Sequence, residues 1–76
     1  MRIVLEKSAV PLRGLEPPST IELDEGTSIR VLLRRYTGLT EEEPYLLPVV
    51  NGEHRRFDYV LRDGDRIRLL QLSAGG

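Results

Sequence analysis

Seventy-six residues without cysteine, carrying eleven basic and twelve acidic side chains and a formal net charge of −1, leave room for one domain held by packing and hydrogen bonds, since so short a chain buries only about 60% of its unfolded surface. This composition excludes a disulfide framework, a thiolate-bound metal and a thiol nucleophile. The near-neutral balance argues against a nucleic-acid or anionic-membrane binder, which needs a field of one sign. Apolar runs are only a few residues long, far below the ~20 that span a bilayer, and Met1 leads directly into a strand-like pattern with no secretory h-region, so a cytoplasmic protein is expected. Ten of the eleven bases are arginine, and Lys7 is the one side-chain amine.

Residues 2 to 7 (RIVLEK) are rich in β-formers, and Ile3 and Leu5 share one side at period two, which predicts a first strand. Residues 8 to 18 (SAVPLRGLEPP) carry three prolines and a glycine and read as a long hairpin connection. Residues 19 to 24 (STIELD) alternate, with Ile21 and Leu23 inward and Thr20 and Glu22 outward, as in a half-solvated strand. Glu25-Gly26 makes a turn, Thr27 or Ser28 offers an N-cap oxygen, and Ile29, Leu32, Leu33 and Tyr36 recur at helical spacing. One helix of about three turns is expected, ending at Gly38 in a left-handed cap. The Glu41 to Glu43 run reads as a solvated connection.

The apolar segment Tyr45 to Val50 suits a strand buried on both faces, although Pro48 demotes it towards an edge or an irregular pairing. Asn51-Gly52 is a strong type I′ hairpin signal, after which residues 53 to 57 return as a short polar strand. Tyr59, Val60 and Leu61 precede a second tight turn, Asp63-Gly64-Asp65. Residues 66 to 72 (RIRLLQL) form the last strand and residues 73 to 76 a tail. Strands arranged around one helix imply an α+β domain with the helix packed across a mixed sheet, most simply a β-grasp with the first and last strands adjacent at the centre.

Little here looks like an active site. His54 is the only histidine and follows the hairpin tip, so no second histidine completes a metal site, and Glu41 to Glu43 lack the interrupted spacing of a calcium loop. Asp63 and Asp65 are better explained by side-chain to backbone hydrogen bonds in a turn than by acid-base chemistry. Arg55, Arg56, Arg62, Arg66 and Arg68 concentrate positive charge in the second half. On the last strand Ile67 and Leu69 fall on one face, and Arg66, Arg68, Leu70 and Leu72 on the other. Either a bulge turns Leu70 and Leu72 inward, or they are scattered exposed apolars, or they form an apolar patch rimmed by cations.

Three motifs carry a resemblance. The run Val49-Val50-Asn51-Gly52-Glu53, the run Leu61-Arg62-Asp63-Gly64-Asp65-Arg66-Ile67 and the ending Ala74-Gly75-Gly76 together resemble the ThiS/MoaD family of ubiquitin-like sulfur carriers. In that family a VNGE-type hairpin, an L-x-DGD turn and a terminal Gly-Gly come in this order at similar spacing. The match is by motif over the last 28 residues and by length and element order over residues 1 to 48.

The resemblance implies a ubiquitin-like β-grasp, a mixed four- to five-stranded sheet with one main helix over residues 1 to 72, followed by a flexible tail at 73 to 76. It implies that an activating enzyme, a ubiquitin-activating-like adenylyltransferase of the MoeB/ThiF type, uses ATP to adenylate the C-terminal carboxylate. Sulfur from a persulfide then displaces AMP, and a synthase of the molybdopterin synthase large subunit or thiazole synthase type consumes the Gly76 thiocarboxylate. The chain is then a co-substrate and not an enzyme, binds no cofactor itself, and has neither nucleic acid nor membrane as partner. Gly76 carries the chemistry; Ala74, Gly75 and Gly76 enter the partner's active site; Arg66, Arg68, Leu70 and Leu72 form the face that docks on both partners.

The chemistry accounts for the residue types. A carboxylate is a poor acyl donor until converted to a mixed anhydride in a site closed against water. Glycine, lacking Cβ, permits close backbone approach in a narrow channel. Four extended residues reach about 13 Å beyond the strand. Two other classes share the pattern: a protein modifier conjugated through Gly76, and a non-catalytic β-grasp binding module, which has no need of a free Gly-Gly end. The long first connection and overall length lean towards carriers for molybdenum- or tungsten-pterin synthesis. The LLQLSAGG ending, without the two prolines common before the tail in that branch, and the short link after the helix lean towards the thiamine pathway. The pterin branch is slightly preferred.

Overall fold

A computed structural model describes residues 1–37 and 46–71. Gly38 with its expected helix cap, the Glu41 to Glu43 run, Tyr45, Leu72 with the expected 72/73 domain boundary, and the tail Ser73 to Gly76 lie outside the described residues.

The elements run β1 (Arg2–Ser8), β2 (Ser19–Glu22), α1 (Ile29–Thr37), β3 (Leu46–Val50), β4 (Glu53–His54) and β5 (Arg66–Gln71). They form one five-stranded sheet in the order β2-β1-β5-β3-β4. The first and last strands are parallel neighbours at its centre, as expected, and the other pairings are antiparallel. Ile3 and Leu5 of β1 and Ile67 and Leu69 of β5 are wholly buried under α1, which contributes Ile29, Leu32 and Leu33 to the same core. A helix of nine residues is marginal alone, whereas each buried leucine or isoleucine contributes about 1.5–3 kcal/mol. Packing on the sheet therefore decides whether α1 forms.

Of the two cap candidates, Ser28 takes the role: its Oγ accepts the Val31 N–H at 3.2 Å. Thr27, 6% exposed, ties the preceding turn by donating its hydroxyl to the Asp24 carbonyl. The first two N–H groups of the helix, those of Ile29 and Arg30, donate to the carbonyls of Tyr59 and Phe57. The first connection also covers the core: Val10, Leu12 and Leu15 pack against it, and the Arg13 N–H donates to the Tyr36 carbonyl at 2.6 Å near the end of α1.

Two expectations are corrected around β3. It is not buried on both faces: Leu46, Pro48 and Val50 are buried while Leu47 and Val49 are half-buried, because α1 covers only one side of the sheet. Pro48 sits within the sheet without breaking it. The Asn51 N–H donates to the Arg66 carbonyl, so the odd-numbered residues of β3 bond to β5 and Pro48 faces β4 instead. There its carbonyl accepts the Arg55 N–H at 3.0 Å, and its missing donor falls beyond the end of β4. That strand stops at His54 rather than residue 57, and the chain then turns so that Phe57 and Tyr59 can cap α1.

The sidedness of β5 is open to a direct test. Leu69→Ala is expected to cost about 2–5 kcal/mol in urea unfolding, and Leu70→Ala about 1 kcal/mol or less. Equal losses would contradict the arrangement.

Candidate functional site

The two internal motifs form one joint. Asn51 (φ 53°) and Gly52 (φ 84°) make the tight turn between β3 and β4. Asp65, 5% exposed, accepts from Asn51 Nδ2 at 2.9 Å on one carboxylate oxygen. Its other oxygen accepts from the Arg62 N–H at 2.9 Å and the Tyr59 hydroxyl at 3.2 Å. Asn51 Oδ1 in turn accepts the Arg66 N–H. On the far side of the turn, Asp63 accepts the Arg2 N–H at 2.7 Å, the Gly64 N–H donates to the Arg2 carbonyl, and the Asp65 carbonyl accepts the Val4 N–H. Both aspartates thus act on backbone groups, as expected, and tie β1, β5 and the β3-β4 hairpin together at one end of the sheet. Burial, with the Asp65 carboxylate beside it, pushes the Tyr59 phenol above its ordinary value of 10.0.

From that joint β5 carries Arg66, Arg68 and Leu70 onto the uncovered face, and no bulge turns Leu70 inward. Leu72, the fourth residue expected there, lies outside the described residues, as do Ala74, Gly75 and Gly76. The apolar part of this face extends further than the sequence suggests. Leu47 is the cross-strand partner of Leu70, and Val49 that of Arg68, so β3 adds two half-buried apolar side chains. Their alternation with Leu46, Pro48 and Val50 is the signal that an all-apolar run conceals. Glu6 of β1 reaches both arginines, at 3.2 Å from Arg68 Nε and 4.0 Å from Arg66 Nη1.

The five arginines of the second half are not gathered on this face. Arg55 pairs with Glu53 at 2.8 Å and lies 5.1 Å over the Tyr59 ring. With Arg56, His54, Phe57, Asp58 and Arg30 it lines an open groove of about 340 Å³ between α1 and the chain after β4. His54 is exposed, as expected. Among the described residues no three His, Cys, Asp or Glu side chains are grouped to hold a metal, and no helix is long and apolar enough to cross a membrane.

A five-stranded mixed sheet with parallel central strands and one helix packed across it is a ubiquitin-like β-grasp. Solved structures agree: SAMP1 from Haloferax volcanii is similar with a TM-score of 0.71 at 16% identity, covering 100% of both chains. A protein from Pyrococcus furiosus described as molybdopterin converting factor subunit 1 is similar with a TM-score of 0.64 at 20% identity, covering 96% of this chain and 99% of that one. Comparison with curated protein sequences finds no match. The model of the ThiS family matches residues 9–76, and the chain belongs to that family. Membership places it among the ubiquitin-like sulfur carriers, small proteins that in general are not catalysts and that partner with activating enzymes and synthases.

Two measurements check the joint. Asp65→Ala leaves the Asn51 amide, the Tyr59 hydroxyl and the Arg62 N–H without their acceptor and is expected to cost about 3 kcal/mol in urea unfolding. Tyr59→Phe tests the raised phenol. The neutral phenol is the form the fold favours, so its contribution is complete below the ordinary value and is lost as pH rises through the higher folded one. The stability gap between wild type and Tyr59→Phe, measured between about pH 9 and 11, should close towards the alkaline end.

Proposed function

We propose that this chain is a sulfur carrier in which Gly76 is the reacting group: its carboxylate is adenylated by an ATP-dependent activating enzyme, sulfur from a persulfide displaces AMP, and the thiocarboxylate is given up to a synthase. The observation that carries this proposal is the extent of the family match, which runs through residue 76 and so includes the Gly-Gly end. The fold supports it from the other side. Both aspartates of the Asp-Gly-Asp turn are taken up by hydrogen bonds within the fold, and β5, the strand leading to the tail, presents Arg66, Arg68 and Leu70 outward. In this proposal those three residues, with Leu72, dock on the partner while Ala74, Gly75 and Gly76 enter its active site. Among acceptors we favour molybdenum- or tungsten-pterin synthesis over thiamine synthesis, on the length of the first connection.

The test is the intact mass of the chain, untagged at its C-terminus, after incubation with ATP, a candidate activating enzyme competent on another carrier, and a persulfide donor. The expected result is a gain equal to exchange of one oxygen for sulfur, abolished by deleting Gly75 and Gly76. An unchanged mass would overturn the carrier proposal; amide conjugates to lysines of other proteins, formed in its place, would make the chain a modifier.

A further inference from the structure

The open sheet face contains its own counter-ion. β1 has one irregularity, at Glu6: Leu5 pairs with Ile67, and the next pair is Lys7 with Arg68. Leu5 and Ile67 point into the core while Arg68 points to solvent, so the extra residue puts Glu6 and Lys7 together on the open face. Strict alternation would send Lys7 into the core and Ser8 out of it. The irregularity thereby aims a carboxylate at the middle of the sheet. Glu6 Oε1 accepts from Arg68 Nε at 3.2 Å, and Oε2 lies 4.0 Å from Arg66 Nη1. The Glu6 side chain is 31% exposed against 57% and 68% for the two arginines. Another ion pair of this face, Arg2 with Glu22 at 2.8 Å, sits apart on the β1-β2 side. Around Leu47, Val49 and Leu70, among the described residues, three cations (Lys7, Arg66 and Arg68) thus meet one carboxylate, on a chain whose net charge is −1.

We propose that Glu6 is an internal stand-in for a carboxylate of the docking partner. The local excess of positive charge fits a protein surface that sets an acidic side chain beside apolar groups. On docking, that side chain takes over Arg68 and Arg66, and Glu6, held by its strand, is left to repel it. Glu6 thereby slows association and limits the lifetime of the complex. The inference rests on the carrier proposal, in that the partner is the activating enzyme.

The experiment measures association of the chain with the enzyme that modifies it in the mass assay, at about 25 mM and about 500 mM salt. Glu6→Gln keeps the shape and an acceptor for Arg68 but removes the charge. It is expected to associate about three- to tenfold faster than wild type at low salt, with the gap closing at high salt. Glu22→Gln makes the same change in net charge on the same face away from the apolar strip, and should give less than half that gain. In an Arg66→Gln, Arg68→Gln background, where only the repulsion by Glu6 is left to remove, the Glu6 substitution should give less than half the gain it gives in wild type. A Glu6→Gln rate at or below wild type, or matched by Glu22→Gln, or a gain undiminished without the two arginines, would overturn the inference alone. Absence of wild-type association would overturn the carrier proposal and this inference with it.

Discussion

The structure depends on one buried carboxylate. Removing Asp65 from water is costly unless its oxygens are saturated with donors, and the fold supplies three: the Asn51 amide, the Arg62 N–H and the Tyr59 hydroxyl. Those donors come from the β3-β4 turn and from the segment leading into β5. The Asp65 carbonyl meanwhile holds β1 through Val4. Fixing this point fixes the register of β5 against both neighbours. In a strand, a slip of one residue exchanges the two faces; here it would drive Arg66 and Arg68 under the helix and expose Ile67 and Leu69. The joint thus decides which side chains of β5 are available to a partner.

This explains why the family's internal motifs are recognisable and why they hold no chemistry. Asn-Gly is selected by a turn needing positive φ at both positions, and Asp-Gly-Asp by a turn whose two carboxylates satisfy backbone donors, one on β1 and one in the connection leading into β5. Such requirements are local, so they are written in adjacent residues, and the central pairing of first and last strands and the helix position were legible with them. What escaped a reading of the sequence depended on partners distant along the chain. Nothing in Leu5-Glu6-Lys7 announces an extra residue, because the shift of phase exists only relative to β5. The run Leu46 to Val50 looks uniformly buried because its letters do not say that only one face is covered. The early end of β4 follows from Pro48 across the hairpin and from the demand of α1 for carbonyl caps.

The two faces of the sheet divide the work. One is closed by α1 and the first connection, with Ile3, Leu5, Ile67 and Leu69 wholly buried beneath them. Among the described residues the other carries no layer, and its central residues are neither a core nor an ordinary solvated surface: half-buried Leu47, Val49 and Leu70 lie among charged side chains that pair with one another. Exposed pairs of this kind contribute only about 0–1 kcal/mol to stability, so they are poorly explained as supports of the fold.

For a carrier, that weakness has a use. A protein that takes sulfur from one enzyme and delivers it to another has to leave the first at a useful rate, and differences in affinity between related complexes reside mainly in dissociation. A wide apolar face with unopposed arginines would hold an acidic partner too long. On the proposed reading, three half-buried apolar residues and two arginines already engaged by Glu6 would make a face that recognises without retaining. In the proposed function, selectivity would come from the requirement that docking and tail insertion occur together, with Arg66, Arg68 and Leu70 setting the body on a strand pinned at its start by Asp65.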